Sequence, residues 1–125
     1  MNKLSGSCMC GSIQYQVKGD LREIIGCHCH LCRKSSGHFT AATATHPDNL
    51  RLLKRGGLKW YRSSAAAQRG FCCRCGSSLF WKPDHGHHIS IFAGSIDGES
   101  KLTLTSHICA QEKGDYYLIQ DIPAH

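Results

Sequence analysis

Nine cysteines fall into four groups along the chain, and their spacing limits what the chain can fold into. Cys8-Met9-Cys10 is a C-x-C. Cys27-His28-Cys29-His30-Leu31-Cys32 is a C-x-C-x-x-C. Cys72 and Cys75 frame a C-x-x-C that Gly76 follows, and Cys109 stands alone. The opening residues, Met1 to Gly6, lack the apolar stretch of a secretory leader, and an odd number of cysteines does not pair off into disulfides. The expected setting is a reducing one, the cytoplasm, where thiols at this density hold metal. Nine free core thiols are disfavoured by the clustering, although cysteine packs well as a small hydrophobe. A redox dithiol at Cys72 and Cys75 would call for a βαβ context, which the sequence does not offer.

Two cysteines two or three residues apart on a tight turn can aim both sulfurs at one point. Zn²⁺ takes four such ligands tetrahedrally, at about 2.3 Å. Cys8 and Cys10 supply two, and Cys72 and Cys75 supply two more, which closes a four-thiolate structural site. Gly76 suits the positive φ that such a knuckle needs. The middle group differs. Cys27, Cys29 and Cys32 fill three corners, and three protein ligands with one open position make the pattern of a reactive zinc. A fourth protein ligand from His28, His30, His107 or Cys109 is the competing arrangement. Cys73 and Cys109 are left over and are expected as spare core thiols.

Outside these groups, alternation of apolar and polar residues dominates. Ile13, Tyr15 and Val17 read as one face of a strand, as do Leu79 with Trp81, Ile89 with Ile91 and Ala93, and Leu102 through Ile108. Leu50 and Leu52, then Leu58 and Trp60, flank Lys54-Arg55-Gly56-Gly57, which predicts a hairpin. Only Leu31 to Ser36 reads as helix. At 125 residues the expectation is one domain over 1–125, all-β (mainly β with short helical turns), its short antiparallel sheets stapled by metal. No apolar run is long enough to cross a bilayer.

The formal charge is +6. Seven thiolates and two divalent ions would bring it to about +3, which weakens a nucleic-acid reading. From Arg22 to Lys82 there are eleven basic and two acidic residues, whereas from Pro83 onward there are two basic and six acidic. A basic middle suits a small anionic ligand. Aromatic residues are only 8% and do not interleave with basic ones as single-strand stacking would require.

Three ordered stretches resemble one family. They are Gly6-Ser7-Cys8-Met9-Cys10-Gly11-Ser12-Ile13-Gln14-Tyr15, Cys27 through Gly37, and Arg69-Gly70-Phe71-Cys72-Cys73-Arg74-Cys75-Gly76-Ser77-Ser78-Leu79-Phe80. Gly94-Ser95-Ile96-Asp97 and His107-Ile108 extend the match, which runs from about residue 6 to 123. The chain is similar to the glutathione-dependent formaldehyde-activating (GFA) family, also called the centromere protein V/GFA domain. The resemblance implies a β-tent zinc fold with two Zn²⁺ per chain. The structural ion would sit on Cys8, Cys10, Cys72 and Cys75. The catalytic ion, which can be only partly occupied, would sit on Cys27, Cys29 and Cys32. It implies a carbon–sulfur lyase, an S-(hydroxymethyl)glutathione synthase-like enzyme that adds glutathione to formaldehyde.

On this reading a zinc with three thiolates holds an incoming thiol as thiolate, and that sulfur attacks an aldehyde carbonyl. Arg33 and Lys34, which follow Cys32 directly, are the candidates to bind the carboxylates of glutathione; Arg62 and Arg69 belong to the same basic middle. The partners expected are a small-molecule thiol and an aldehyde, with no membrane, a nucleic-acid partner disfavoured, and a monomer or homodimer. His28 is a candidate to orient a ligand near the metal. The alternative function is a zinc-stabilised module binding protein or nucleic acid, both metals being structural; a zinc store or thiol redox sensor ranks third.

Overall fold

The computed structural model describes residues 3–119. The end of the family resemblance, residues 120–123, lies outside them. The architecture is mainly β, as the alternation predicts: among the described residues there are ten strands, one short helix and three 3₁₀ turns. Strands β1 (Lys3–Ser7), β2 (Ile13–Lys18) and β5 (Leu50–Arg55) form a three-stranded antiparallel sheet in the order β1-β2-β5. The remaining strands are β3 (Ile24–Cys27), β4 (Thr40–Thr45), β6 (Leu58–Ser64), β7 (Ala67–Cys72), β8 (Ser78–Pro83), β9 (Ile89–Phe92) and β10 (Leu104–Ile108). They form a seven-stranded sheet in the order β10-β3-β4-β9-β8-β7-β6. Helix α1 spans His30–Ser36. No helix among the described residues is long and apolar enough to cross a membrane.

Two expectations about the sheets fail. Lys54 to Gly57 is not a hairpin turn. β5 pairs with β2 and β6 pairs with β7, so this turn carries the chain from one sheet to the other. The glycines serve proximity: a Cβ on Gly57 would lie 2.7 Å from Cys72 Sγ. The sheets are also not wholly antiparallel, because β10 runs parallel to β3 at the edge of the larger one. A parallel pair needs a long connection, and the whole chain between Cys27 and Leu104 provides it.

The core lies between the sheets. Ile13, Tyr15 and Val17 of β2 are buried and pack with Leu79 and Phe80 of β8 and Ile89 and Ile91 of β9. Tyr15 meets Phe80 edge to face at a 5.4 Å centroid distance, and its hydroxyl lies 2.7 Å from Ser95 Oγ, so the polar tip is satisfied. Gly6 is fixed by this ring: a Cβ there would stand 2.0 Å from Tyr15 Cζ.

The other face of the large sheet is concave. Cross-strand register sets two rows of side chains on it. Ile25, Ala42 and Phe92 stand opposite one another on β3, β4 and β9. Ser90, Trp81 and Arg69 stand opposite one another on β9, β8 and β7. Because side chains alternate between faces, residues two apart share one. Cys27 therefore shares the concave face with Ile25, and Thr40 with Ala42.

Gly6→Ala is expected to cost about 1–3 kcal/mol through overpacking against Tyr15, read as a lower Tm. In a Tyr15→Leu background the same substitution should cost less, because the opposing ring is gone. Equal costs in both backgrounds would place the strain elsewhere.

Candidate metal centres

The sulfurs of Cys8, Cys10, Cys72 and Cys75 lie within 4.8 Å of one another. The first two come from the turn between β1 and β2. Cys72 ends β7, and Cys75 sits in the turn into β8. Cys10 Sγ is 3.7 Å from Cys8 Sγ and 3.8 Å from Cys72 Sγ. A tetrahedron with sulfurs at about 2.3 Å from its centre has edges of about 3.8 Å, so this donor set fits a metal of zinc size. Gly76 adopts φ 82°, as the knuckle requires.

Polar neighbours surround these sulfurs. The Ile13 N–H donates to Cys8 Sγ at 3.3 Å. The Ser12 hydroxyl is 3.2 Å from Cys10 Sγ and 3.3 Å from Cys72 Sγ, and the Ser77 hydroxyl is 3.2 Å from Cys75 Sγ. Burial pushes the Cys8 thiol up, yet the Ile13 N–H and the neighbouring Ser12, Cys10 and Cys72 carry it below its ordinary value. The Ser77 hydroxyl and then its N–H draw Cys75 down to about 5.

The second group is Cys27, Cys29 and Cys32, also within 4.8 Å. Cys27 ends β3. Cys29 is the N-cap of α1, its sulfur accepting the Cys32 N–H at 3.4 Å. The C-x-x-C spacing thus follows from helix capping. Cys32 is pulled down to about 5, first by Cys27 and then, against burial, by Thr40, Arg69 and Cys29. Cys27 is pushed up, foremost by Cys32.

Among the described residues, these are the two groups able to hold a metal. His28, His30, His107 and Cys109 do not join the second. His28 is completely buried, and its Nε2 lies 2.7 Å from His107 Nδ1 while its Nδ1 meets the Tyr117 hydroxyl. It also stacks on Phe39 at 4.5 Å. It is a packed histidine, and its partners Tyr117 and Phe39 carried no sequence signal. Cys73 is exposed, which corrects the core-thiol expectation: it sits on the knuckle turn, where its N–H bonds Gly57 O at 2.8 Å and its side chain faces solvent. Cys109 is half-buried, at φ 56°.

The two groups face different spaces, Cys8 and Cys10 lining surface hollows of their own. A cavity of about 370 Å³ occupies the concave face, and Cys27, Cys29 and Cys32 all line it. None of the four-cysteine group does. Arg22, Arg69, Trp81 and Phe92 also line it, and Arg69 Nη2 donates to Cys32 Sγ at 3.6 Å. Arg33 and Lys34 lie outside this lining. The Arg33 Nη1 instead donates to Glu112 O at 2.9 Å, and Lys34 is exposed. Arg62 is exposed and pairs with Asp84 at 2.8 Å. Asp97 accepts the Ser7 hydroxyl at 2.9 Å and so ties to β1.

The family model for the glutathione-dependent formaldehyde-activating enzyme matches residues 3–112. The chain belongs to this GFA family. An uncharacterized lyase of Schizosaccharomyces pombe is 29% identical over 94% of this chain and 85% of its own length. A Halomonas elongata protein, provisionally named glutathione-dependent formaldehyde-activating enzyme, is 27% identical over 94% of this chain and 81% of its own. A crystal structure of a Rhodobacter sphaeroides protein superposes with a TM-score of 0.64, covering 98% of this chain and 100% of that one at 18% identity, a likeness of fold. All three matches extend across nearly the whole GFA chain.

If the two centres carry different loads, their variants should part. Cys72→Ser is expected to lower metal content and Tm together, because removing a structural metal removes folding energy. Cys29→Ser should leave about one metal per chain and a smaller loss of Tm. Elemental mass spectrometry alongside thermal unfolding checks both; equal losses of Tm would argue against the division.

Proposed function

We propose that the chain is a zinc-dependent carbon–sulfur lyase that joins a thiol, glutathione, to an aldehyde, formaldehyde, and runs the reverse cleavage. The observation that carries this reading is the exposure of three converged cysteine sulfurs, and of no fourth ligand among the described residues, to a cavity large enough for a small molecule. Family membership supports the reaction class. Cys8, Cys10, Cys72 and Cys75 take the structural Zn²⁺, and Cys27, Cys29 and Cys32 take the second.

Bound zinc supplies a position that keeps an incoming thiol deprotonated near neutral pH. Cys27, Cys29 and Cys32 present it to the cavity from the end of β3 and the first turn of α1. Their three negative charges temper the ion as a Lewis acid, so holding a thiol suits the site better than activating water. The apolar walls, Ile25, Ala42 and Phe92, keep water from the reacting sulfur. That sulfur adds to the carbonyl carbon, the C=O π pair moves to oxygen, and oxygen takes up the proton the thiol lost. One C–S bond forms and no oxidant is needed. Nine unpaired thiols support a reducing compartment such as the cytoplasm.

Two measurements test the reading. Mixing glutathione and formaldehyde with the zinc-loaded protein should speed formation of the S-hydroxymethyl adduct, followed by ¹³C NMR, and Cys29→Ser should remove the acceleration. Glutathione should also change the thiolate-to-metal absorption of cobalt-substituted protein, saturably, in wild type and not in Cys29→Ser. Unchanged turnover in a variant that has lost one metal would overturn the proposal.

A further inference from the structure

Behind the three cysteines lies a buried polar chain that the thiol chemistry does not use. Cys27 and Cys29 line the cavity, and His28 between them does not. Its ring turns to the back of β3, where Nδ1 meets the Tyr117 hydroxyl and Nε2 lies 2.7 Å from His107 Nδ1. The chain Tyr117–His28–His107 therefore engages both ring nitrogens of His28. Gly26 shares the back face with His28 and makes room for the pair. A Cβ there would stand 2.7 Å from His107 Nδ1 and 3.2 Å from Phe39 Cδ2. Phe39 and Tyr117 stack on the His28 ring at centroid distances of 4.5 and 5.6 Å.

The residues that follow β10 are fastened across this chain. The His28 N–H donates to Ile108 O at 3.1 Å. Glu112 accepts twice from α1: its Oε1 takes the His30 N–H at 3.2 Å, and its carbonyl takes Arg33 Nη1 at 2.9 Å. Lys113 Nζ donates to Tyr117 O at 2.6 Å and lies 5.0 Å from the Tyr117 ring centroid, which closes the turn that brings Tyr117 onto His28. At the outer end the Tyr116 hydroxyl lies 2.7 Å from His38 Nδ1. The segment from Ile108 to Tyr117 thus holds the stretch bearing Cys27, Cys29 and Cys32 at three points, His28, His30 and Arg33.

A buried polar chain with every member paired selects one arrangement of the backbone around it, and removing one partner leaves the others unsatisfied. The three-cysteine group has one ligand fewer than the four-cysteine group. Its hold on a metal therefore leans more on how firmly the sulfurs are kept in place. We infer that Tyr117 is a positioning residue for this centre: acting through His28, it fixes the stretch between Cys27 and Cys29 and so sets how long the centre keeps its metal. The inference rests on Cys27, Cys29 and Cys32 holding a metal, and it is independent of the thiol–aldehyde chemistry.

Release of zinc from the loaded full chain into a chromophoric chelator tests it. Wild type should release metal in two phases, and Cys29→Ser should lack the faster one, which assigns that phase to the three-cysteine centre. Tyr117→Phe keeps the stacked ring and removes only the hydroxyl. It should speed the faster phase by about tenfold, the scale on which outer partners act on a metal site, and leave the slower phase unchanged. Tyr116→Phe, at the exposed end of the segment, should change either phase by less than about twofold. In a His28→Leu background, itself faster than wild type, Tyr117→Phe should add nothing further, because the hydroxyl acts through that ring. The comparison of Tyr117→Phe with wild type stands by itself if His28→Leu does not fold. Two phases with equal rates in wild type and Tyr117→Phe overturn the positioning role. Equal acceleration of both phases also overturns it and assigns the hydroxyl to general stability. A full effect of Tyr117→Phe in the His28→Leu background overturns the route through His28. A wild type that binds one metal, with the content unchanged in Cys29→Ser, removes the three-cysteine metal centre itself and the inference with it. Selective acceleration in a protein that does not speed thiol–aldehyde addition keeps the inference and removes the lyase reading.

Discussion

The fold depends on the convergence of two turns at four sulfurs. Cys8 and Cys10 belong to the turn of the three-stranded sheet, and Cys72 and Cys75 to the large one. A metal there would tie the two layers at one edge of the core, and Cys8 and Cys72 are themselves part of that core. The surroundings are built to that point: the Gly56 N–H bonds Ser12 O at 2.9 Å, the Cys72 N–H bonds Ser77 O at 2.9 Å, and Gly57 makes room for Cys72. The crossover from β5 to β6 runs through the same place, so the junction of the sheets and the knuckle are one structure. In a chain this short, with thirteen glycines, such a staple would offset part of the backbone entropy that a small core leaves uncovered.

Fastening the sheets at one end leaves the opposite face of the larger sheet free to curl around a space. Strands far apart in sheet order then meet across it. Arg69 on β7 touches Cys32 beyond β3, with β4, β9 and β8 between them in the order. Every strand of this sheet contributes to the cavity wall, from Ile108 on β10 to Ser64 on β6. The four-cysteine group and the cavity are thus coupled through register: a slip of β8 by one residue would send Trp81 to the other face and take the alignment of Ser90 and Arg69 with it.

Sequence reasoning reached what local chemistry dictates and missed what register dictates. The division of seven cysteines into four and three was legible because C-x-C and C-x-x-C are local devices, one a turn and the other a helix cap. The β2 strand was legible because Ile13, Tyr15 and Val17 alternate cleanly. Lys54 to Gly57 misled, because Gly-Gly between two apolar runs looks alike in a hairpin and in a crossover; only the partner of each strand separates them. The parallel pairing of β10 with β3, the burial of His28 against His107, Tyr117 and Phe39, and the placement of Arg22 in the cavity depend on contacts between residues dozens of positions apart. Adjacency to Cys32 drew attention to Arg33 and Lys34, yet a helix turns by about 100° per residue. The residues after Cys32 therefore leave the cavity side, Arg33 toward Glu112 and Lys34 toward solvent.

The electrostatic design separates the two centres as clearly as ligand number does. Four thiolates around a divalent ion carry a formal charge of about −2, and three carry about −1. Hydroxyls and backbone N–H groups bond the sulfurs of the first set, and Arg74 lies in the same knuckle. The second is balanced inside the cavity by a guanidinium that has no carboxylate of its own. On the proposed reading, a thiolate added to the second centre would raise its negative charge beside Arg69.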